Sequence, residues 1–183
     1  MEKNVALIAL FAAVIAALGL IPKITLGFGV PITAQTLGVM LCGTVLGARR
    51  GTLSVLLFLL LVAIGLPLLS GGRGGLGAFA TPSAGFLLGW PIGAFVTGWI
   101  VEKWRGVPLG LVATVAAIIG SIVVMYIFGI AGLAIALDKS LSEAALLVLV
   151  FVPGDVIKAV IAGLLTAALF KSRPASVLSR YDG

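Results

Sequence analysis

The stretch Val150-Phe151-Val152-Pro153-Gly154-Asp155-Val156-Ile157-Lys158-Ala159-Val160 decides the fold. It lies inside the apolar run Leu146 to Phe170, whose length and character read as a bilayer-spanning helix. Yet it carries an acid and a base about one helical turn apart, so both side chains project from one face. A lone ionised side chain at mid-bilayer costs roughly 2.5 to 3.5 kcal/mol on insertion scales, which confines such residues to a protein interior or a wet cavity. Asp155 and Lys158 therefore mark a candidate site, the alternative being a self-neutralising ion pair packed among helices. Pro153 lacks a backbone donor and crowds the carbonyl of Leu149, so the helix is expected to kink or break just before the pair.

Outward from that stretch, the 183 residues are 61% hydrophobic and 10% charged, with no histidine. Such a composition belongs to an integral membrane protein. Apolar runs of spanning length cover Val5 to Ile21, Pro31 to Gly47, Thr52 to Pro67, Ala84 to Val101, Val107 to Leu137 and Leu141 to Phe170. The expected fold is all-α: a single domain over residues 1–183, built as a compact bundle of six transmembrane helices. Several runs are short for a hydrocarbon layer of about 30 Å, and the last two exceed it, so the bundle must be tilted or bent. Ser140 and Glu143 have the spacing of a capping box, which starts the last helix after the polar turn Asp138-Lys139.

Basic residues outside the runs are unevenly shared. Lys3, Arg49, Arg50, Lys103, Arg105, Lys171, Arg173 and Arg180 fall on one side, against Lys23, Arg73 and Lys139 on the other. The positive-inside rule then places both termini in the cytoplasm. The net charge of +6 reflects this bias and an attraction for anionic lipid, with no nucleic-acid partner needed. Neither a P-loop nor a metal-ligand cluster occurs, and without histidine there is no Ser-His or Cys-His pair. No cofactor or metal site and no catalysis are expected. The single Cys42 sits among apolar and small residues as a small hydrophobe.

Small residues form two kinds of row. Ala9, Ala13 and Ala17 recur every four residues on the first run, with Ala12 and Ala16 in a second row beside them. Such spacing lets another helix approach closely, either a neighbour in the same chain or a separate membrane subunit. Gly85, Gly89 and Gly93 form a similar row on the fourth run, expected to serve internal packing. Between the third and fourth runs lies a glycine-rich segment over 68–83, with five glycines between Gly71 and Gly77. Leu76, Phe79 and Pro82 give this outer loop something to bury, which suits a lid over a pocket.

Four strings, taken together, resemble the BioY family, the biotin-binding S component of energy-coupling factor (ECF) transporters. They are Val30-Pro31-Ile32-Thr33-Ala34-Gln35-Thr36-Leu37-Gly38, Leu69-Ser70-Gly71-Gly72-Arg73-Gly74-Gly75, Pro82-Ser83-Ala84-Gly85-Phe86 and Pro153-Gly154-Asp155-Val156-Ile157-Lys158. The resemblance runs in order along essentially the whole chain. It implies an S-component-like six-helix protein of the prokaryotic cytoplasmic membrane, whose outward pocket binds biotin for uptake. It also implies that Asp155 and Lys158 belong to the biotin site, and that a transmembrane coupling protein and a pair of ATPases supply the ATP-driven step, the coupling protein engaging the alanine rows, with Ala9, Ala13 and Ala17 as docking residues, and the cytoplasmic surface. Where some relatives carry Tyr then Arg after the Pro-Ser string, this chain has Phe86 and Leu87.

Biotin suits these residue types. Asp155 can accept from ureido N–H, Lys158 can donate to a carbonyl or carboxylate oxygen, and Gln35 can do either. Arg73, the one arginine on the outer side, is the candidate for the carboxylate because guanidinium matches it in a bidentate manner. Phe79 and Phe86 are candidates to cover the apolar body. A competing reading is an ion- or proton-coupled secondary transporter of a small organic acid, with the charged pair on a broken helix as relay. Its usual signature, inverted repeats, is not visible in the sequence.

Overall fold

Long apolar runs separated by short polar turns fold, in a computed structural model that describes residues 2–180, into eight α-helices arranged as six crossings. The first three crossings are α1 (Glu2–Leu18), α2 (Gln35–Leu46) and α3 (Ala48–Ala63), and the fourth is α4 (Ala84–Lys103). The fifth is α5 (Leu109–Ile118) continued through a π-helical segment, Ile119–Val124, into α6 (Met125–Leu137). The sixth is α7 (Leu141–Val148) joined by a 3₁₀ turn, Leu149–Phe151, to α8 (Val152–Ser172). The fourth, fifth and sixth crossings are each long and apolar enough to span a membrane.

The expected break is there. The sixth crossing changes from α to 3₁₀ over Leu149–Phe151 and restarts at Val152, with Pro153 in the first turn of α8, where its missing N–H costs nothing. Ser140 caps α7 as the sequence indicated, its Oγ accepting from the Glu143 backbone while the Glu143 carboxylate accepts from the Ser140 N–H. The second crossing differs from expectation. Instead of beginning at Pro31 it begins at Gln35, because Pro31–Ile32 forms β2, paired antiparallel with β1 (Ile24–Thr25) in a short hairpin. The 12 residues of α2 rise only about 18 Å.

Glycines decide how closely the crossings approach. A Cβ on Gly93 would lie 2.8 Å from the carbonyl oxygen of Gly120, and one on Gly85 would strike the backbone of Phe128 and Gly132. The glycine row of α4 thus serves internal packing, and the helix it seats α4 against is the fifth crossing. On α1 the two alanine rows part company. Ala12 is buried and Ala16 half-buried against the bundle, whereas Ala9, Ala13 and Ala17 are exposed.

The ends of the bundle are chemically distinct. At one end the tail folds back, so that the Ser179 N–H donates to the Val45 carbonyl at 3.0 Å, and at the same end the Ala48 N–H at the start of α3 donates to Glu102 near the end of α4 at 2.8 Å. At the other end lie the hairpin and the glycine-rich loop. Lys3, counted in the charge bias, has its side chain outside the described residues.

Candidate functional site

A cavity at the hairpin end encloses about 550 Å³ of space free of protein atoms, part of it open to solvent. Five segments meet around it: the hairpin's second strand and the start of α2, the loop residues Leu69 and Arg73, the first turns of α4, the start of α6, and the α7–α8 break. Non-helical backbone inside a membrane protein is tolerated where it faces a cavity, and both the hairpin strand and the 3₁₀ break are of that kind.

Asp155 and Lys158 lie on the wall together. Lys158 Nζ donates to Asp155 Oδ1 at 2.7 Å and to Thr36 Oγ1 at 3.0 Å, and the Thr36 hydroxyl donates to Asp155 Oδ1 at 3.2 Å. Tyr126 reaches across from α6, its phenol donating to Asp155 Oδ2 at 2.6 Å. Asp155 is only 4% exposed. An isolated carboxylate so buried would cost several kcal/mol. Three donors offset that cost here, and so does the helix break, which places Asp155 in the first turn of α8 where the backbone dipole favours negative charge by about 0.3 to 1 kcal/mol. The break and the acid are therefore one device.

Gln35 lines the cavity, but its amide is committed to the scaffold. Nε2 donates to the carbonyls of Ile15 at 3.1 Å and Leu68 at 3.0 Å, and Oε1 accepts from the Ser70 N–H at 2.9 Å. It knots α1, α2 and the glycine-rich loop together, a different duty from the ligand contact its position suggested. That loop closes on itself between Leu69 and Arg73, with Gly71 and Gly72 at φ of 80° and 71° making the left-handed turn.

Arg73 hangs from this turn over the cavity, with a guanidinium nitrogen 3.4 Å from the Ser83 hydroxyl and its Nε buried without a partner. Burial lowers the affinity of this guanidinium for its proton, though an arginine stays charged. Aromatic rings line another part of the wall. Phe86 is edge-on to both Tyr126 and Phe151, and Phe151 meets Phe28 of the hairpin, with ring centroids 6.0 Å apart in each pair. Phe79, expected beside Phe86, is not in the lining; it is half-buried against the main core.

Twelve lining residues were not among the site candidates taken from the sequence, Thr36, Trp90, Tyr126 and Phe151 among them. Tyr126 carried a usable signal, since a phenol amid the apolar fifth run must find a partner. Thr36 sat in a quoted string next to Gln35. For Trp90 and Phe151 nothing in the sequence separates a pocket wall from ordinary core.

A model of the BioY family matches residues 2–175. The chain is 52% identical to the biotin transporter BioY of Rhodobacter capsulatus, over 98% of this chain and 100% of that one. It is 57% identical to the biotin transporter BioY of Rhizobium etli, over 94% of this chain and 95% of that one. Among solved structures, the S-component for biotin from an ECF-type ABC transporter superposes with a TM-score of 0.86 at 32% identity, covering 93% of this chain and 92% of its own.

Proposed function

The chain belongs to the BioY family and serves biotin uptake as the substrate-capture subunit of an ECF transporter, and from that premise we propose how its pocket holds the vitamin. The Asp155 and Lys158 pair takes the ureido head, Asp155 accepting from N–H and Lys158 donating to the carbonyl oxygen. The rings of Phe86 and Phe151 cover the apolar body. Arg73, at the mouth, pairs with the valeryl carboxylate. Gln35 acts on the site through the loop it fastens, and Phe79 through the core beneath that loop. The observation that carries this reading is the buried Asp155–Lys158–Thr36–Tyr126 cluster opening onto a cavity whose other walls are largely apolar.

The end bearing Arg49, Arg50, Lys103, Arg105, Lys171, Arg173 and Arg180 faces the cytoplasm, so both termini lie inside and the cavity opens outward. Biotin is cargo here rather than cofactor. A transmembrane coupling protein docks on the exposed Ala9, Ala13 and Ala17 row, and ATPase subunits drive the cycle.

Titration of purified protein with biotin tests the site. Asp155→Asn is expected to weaken binding more than tenfold, since a lost hydrogen bond to a buried charge costs at least about 1.5 kcal/mol; retention of affinity within about twofold would remove Asp155 from the ureido site. Arg73→Ala is expected to weaken biotin more than biotin amide, whose carboxylate charge is gone. Equal weakening of the two would reject Arg73 as the carboxylate partner.

A further inference from the structure

Tyr126 carries the only phenol or ionisable group between Leu109 and Leu137, and it points that group at the acid of another crossing. Its ring is held edge-on by Phe86 and its hydroxyl sits 2.6 Å from Asp155 Oδ2, so packing and hydrogen bond fix each other.

The donors and acceptors can be counted. A carboxylate offers about four lone-pair positions, and an ammonium offers three N–H. Oδ1 of Asp155 spends its two on Lys158 and Thr36, while Oδ2 spends one on Tyr126. Lys158 spends two of its donors, on Asp155 and Thr36. What remains is one acceptor position on Oδ2 beside one donor on Nζ. That is the complement of a single N–H/C=O edge of a cyclic urea.

We infer that Tyr126 is a specificity-determining positioning residue, which holds the Asp155 carboxylate from α6 and leaves Oδ2 a single acceptor position for the ligand. The inference rests on the ureido reading of Asp155 and adds to it the group that aims the carboxylate. Thr36 and Lys158 bond only Oδ1, so loss of the phenol removes the hydrogen bond on Oδ2 and leaves that oxygen two open acceptor positions in place of one. The ligand N–H then no longer meets one defined acceptor position.

A double-mutant cycle read by biotin titration separates this from a merely structural role. Tyr126→Phe keeps the ring and its packing on Phe86, so the fold is retained. It is expected to weaken biotin about tenfold in the otherwise unchanged protein, and by less than about twofold in the Asp155→Asn background, where the oriented carboxylate no longer exists. Equal weakening in both backgrounds would mean that Tyr126 does not act through Asp155, and unchanged affinity of the single variant would mean that it does not position the site. Either result overturns the inference while leaving the ureido reading standing. If Asp155→Asn alone has no effect, the ureido reading itself fails and takes the inference with it.

Discussion

At the scale of single residues, the chemistry depends on a charge pair that is stable only as a pair. Asp155 is held by Lys158, Thr36 and Tyr126. Removing one partner from a buried ion pair leaves an uncompensated charge, at a cost of about 3 to 5 kcal/mol. Lys158→Met should therefore lower the thermal stability of the detergent-solubilised protein as well as abolish biotin binding. The double variant Asp155→Asn/Lys158→Met should regain most of the stability and none of the affinity. A double variant no more stable than Lys158→Met would show that the pair's charges do not balance each other in the fold. The pair was legible in the sequence because a charge inside an apolar run is rare and costly. The partners were harder: Thr36 and Tyr126 are a hydroxyl and a phenol on different crossings, and only the tertiary packing of α2, α6 and α8 brings them to one acid. Gln35 shows the converse. Its type and position fit a ligand contact equally well, but two backbone carbonyls and a loop N–H had the prior claim.

At the scale of elements, caps, breaks and close approaches do most of the positioning. The α7 cap is exposed and distant from the cavity lining, so Ser140→Ala should cost about 1 kcal/mol of stability and leave biotin affinity unchanged. Thermal melting alongside titration would check both halves. Gly93→Val should be far more damaging, because the new side chain would meet the Gly120 backbone at a contact that neither helix can vacate without moving apart. Its expected signature is loss of monodisperse protein, and normal yield with full binding would contradict the packing argument. The break before α8 was foreseeable from Pro153 alone. The hairpin was not, since Pro31-Ile32 is apolar and continuous with the helix that follows, and periodicity cannot tell a short apolar strand from the start of a helix. Phe79 was misplaced for a related reason: an aromatic in a loop reads alike whether it faces the cavity or the core below it.

At the scale of the whole molecule, the bundle offers a cavity with a polar cluster at one end and an exposed row of small residues along α1. As the substrate-capture subunit of an ECF transporter, the chain works in contact with other subunits. The exposed row is suited to that contact because Ala9, Ala13 and Ala17 are free of the bundle while Ala12 and Ala16 already serve it. Lipid gives two helices no hydrophobic reason to associate, so close backbone approach across small side chains has to supply the energy. Ala13→Trp should abolish that approach without touching the cavity. The purified variant is expected to bind biotin as the unchanged protein does, while ATP-dependent biotin uptake by proteoliposomes holding the coupling subunits falls at least tenfold. Ala12→Trp, on the buried row, should instead damage folding and binding together. The contrast between two neighbouring alanines on one helix is the decisive feature: uptake that survives Ala13→Trp would place the docking surface elsewhere on the bundle, and binding lost with Ala13→Trp would mean that the outer row supports the fold after all.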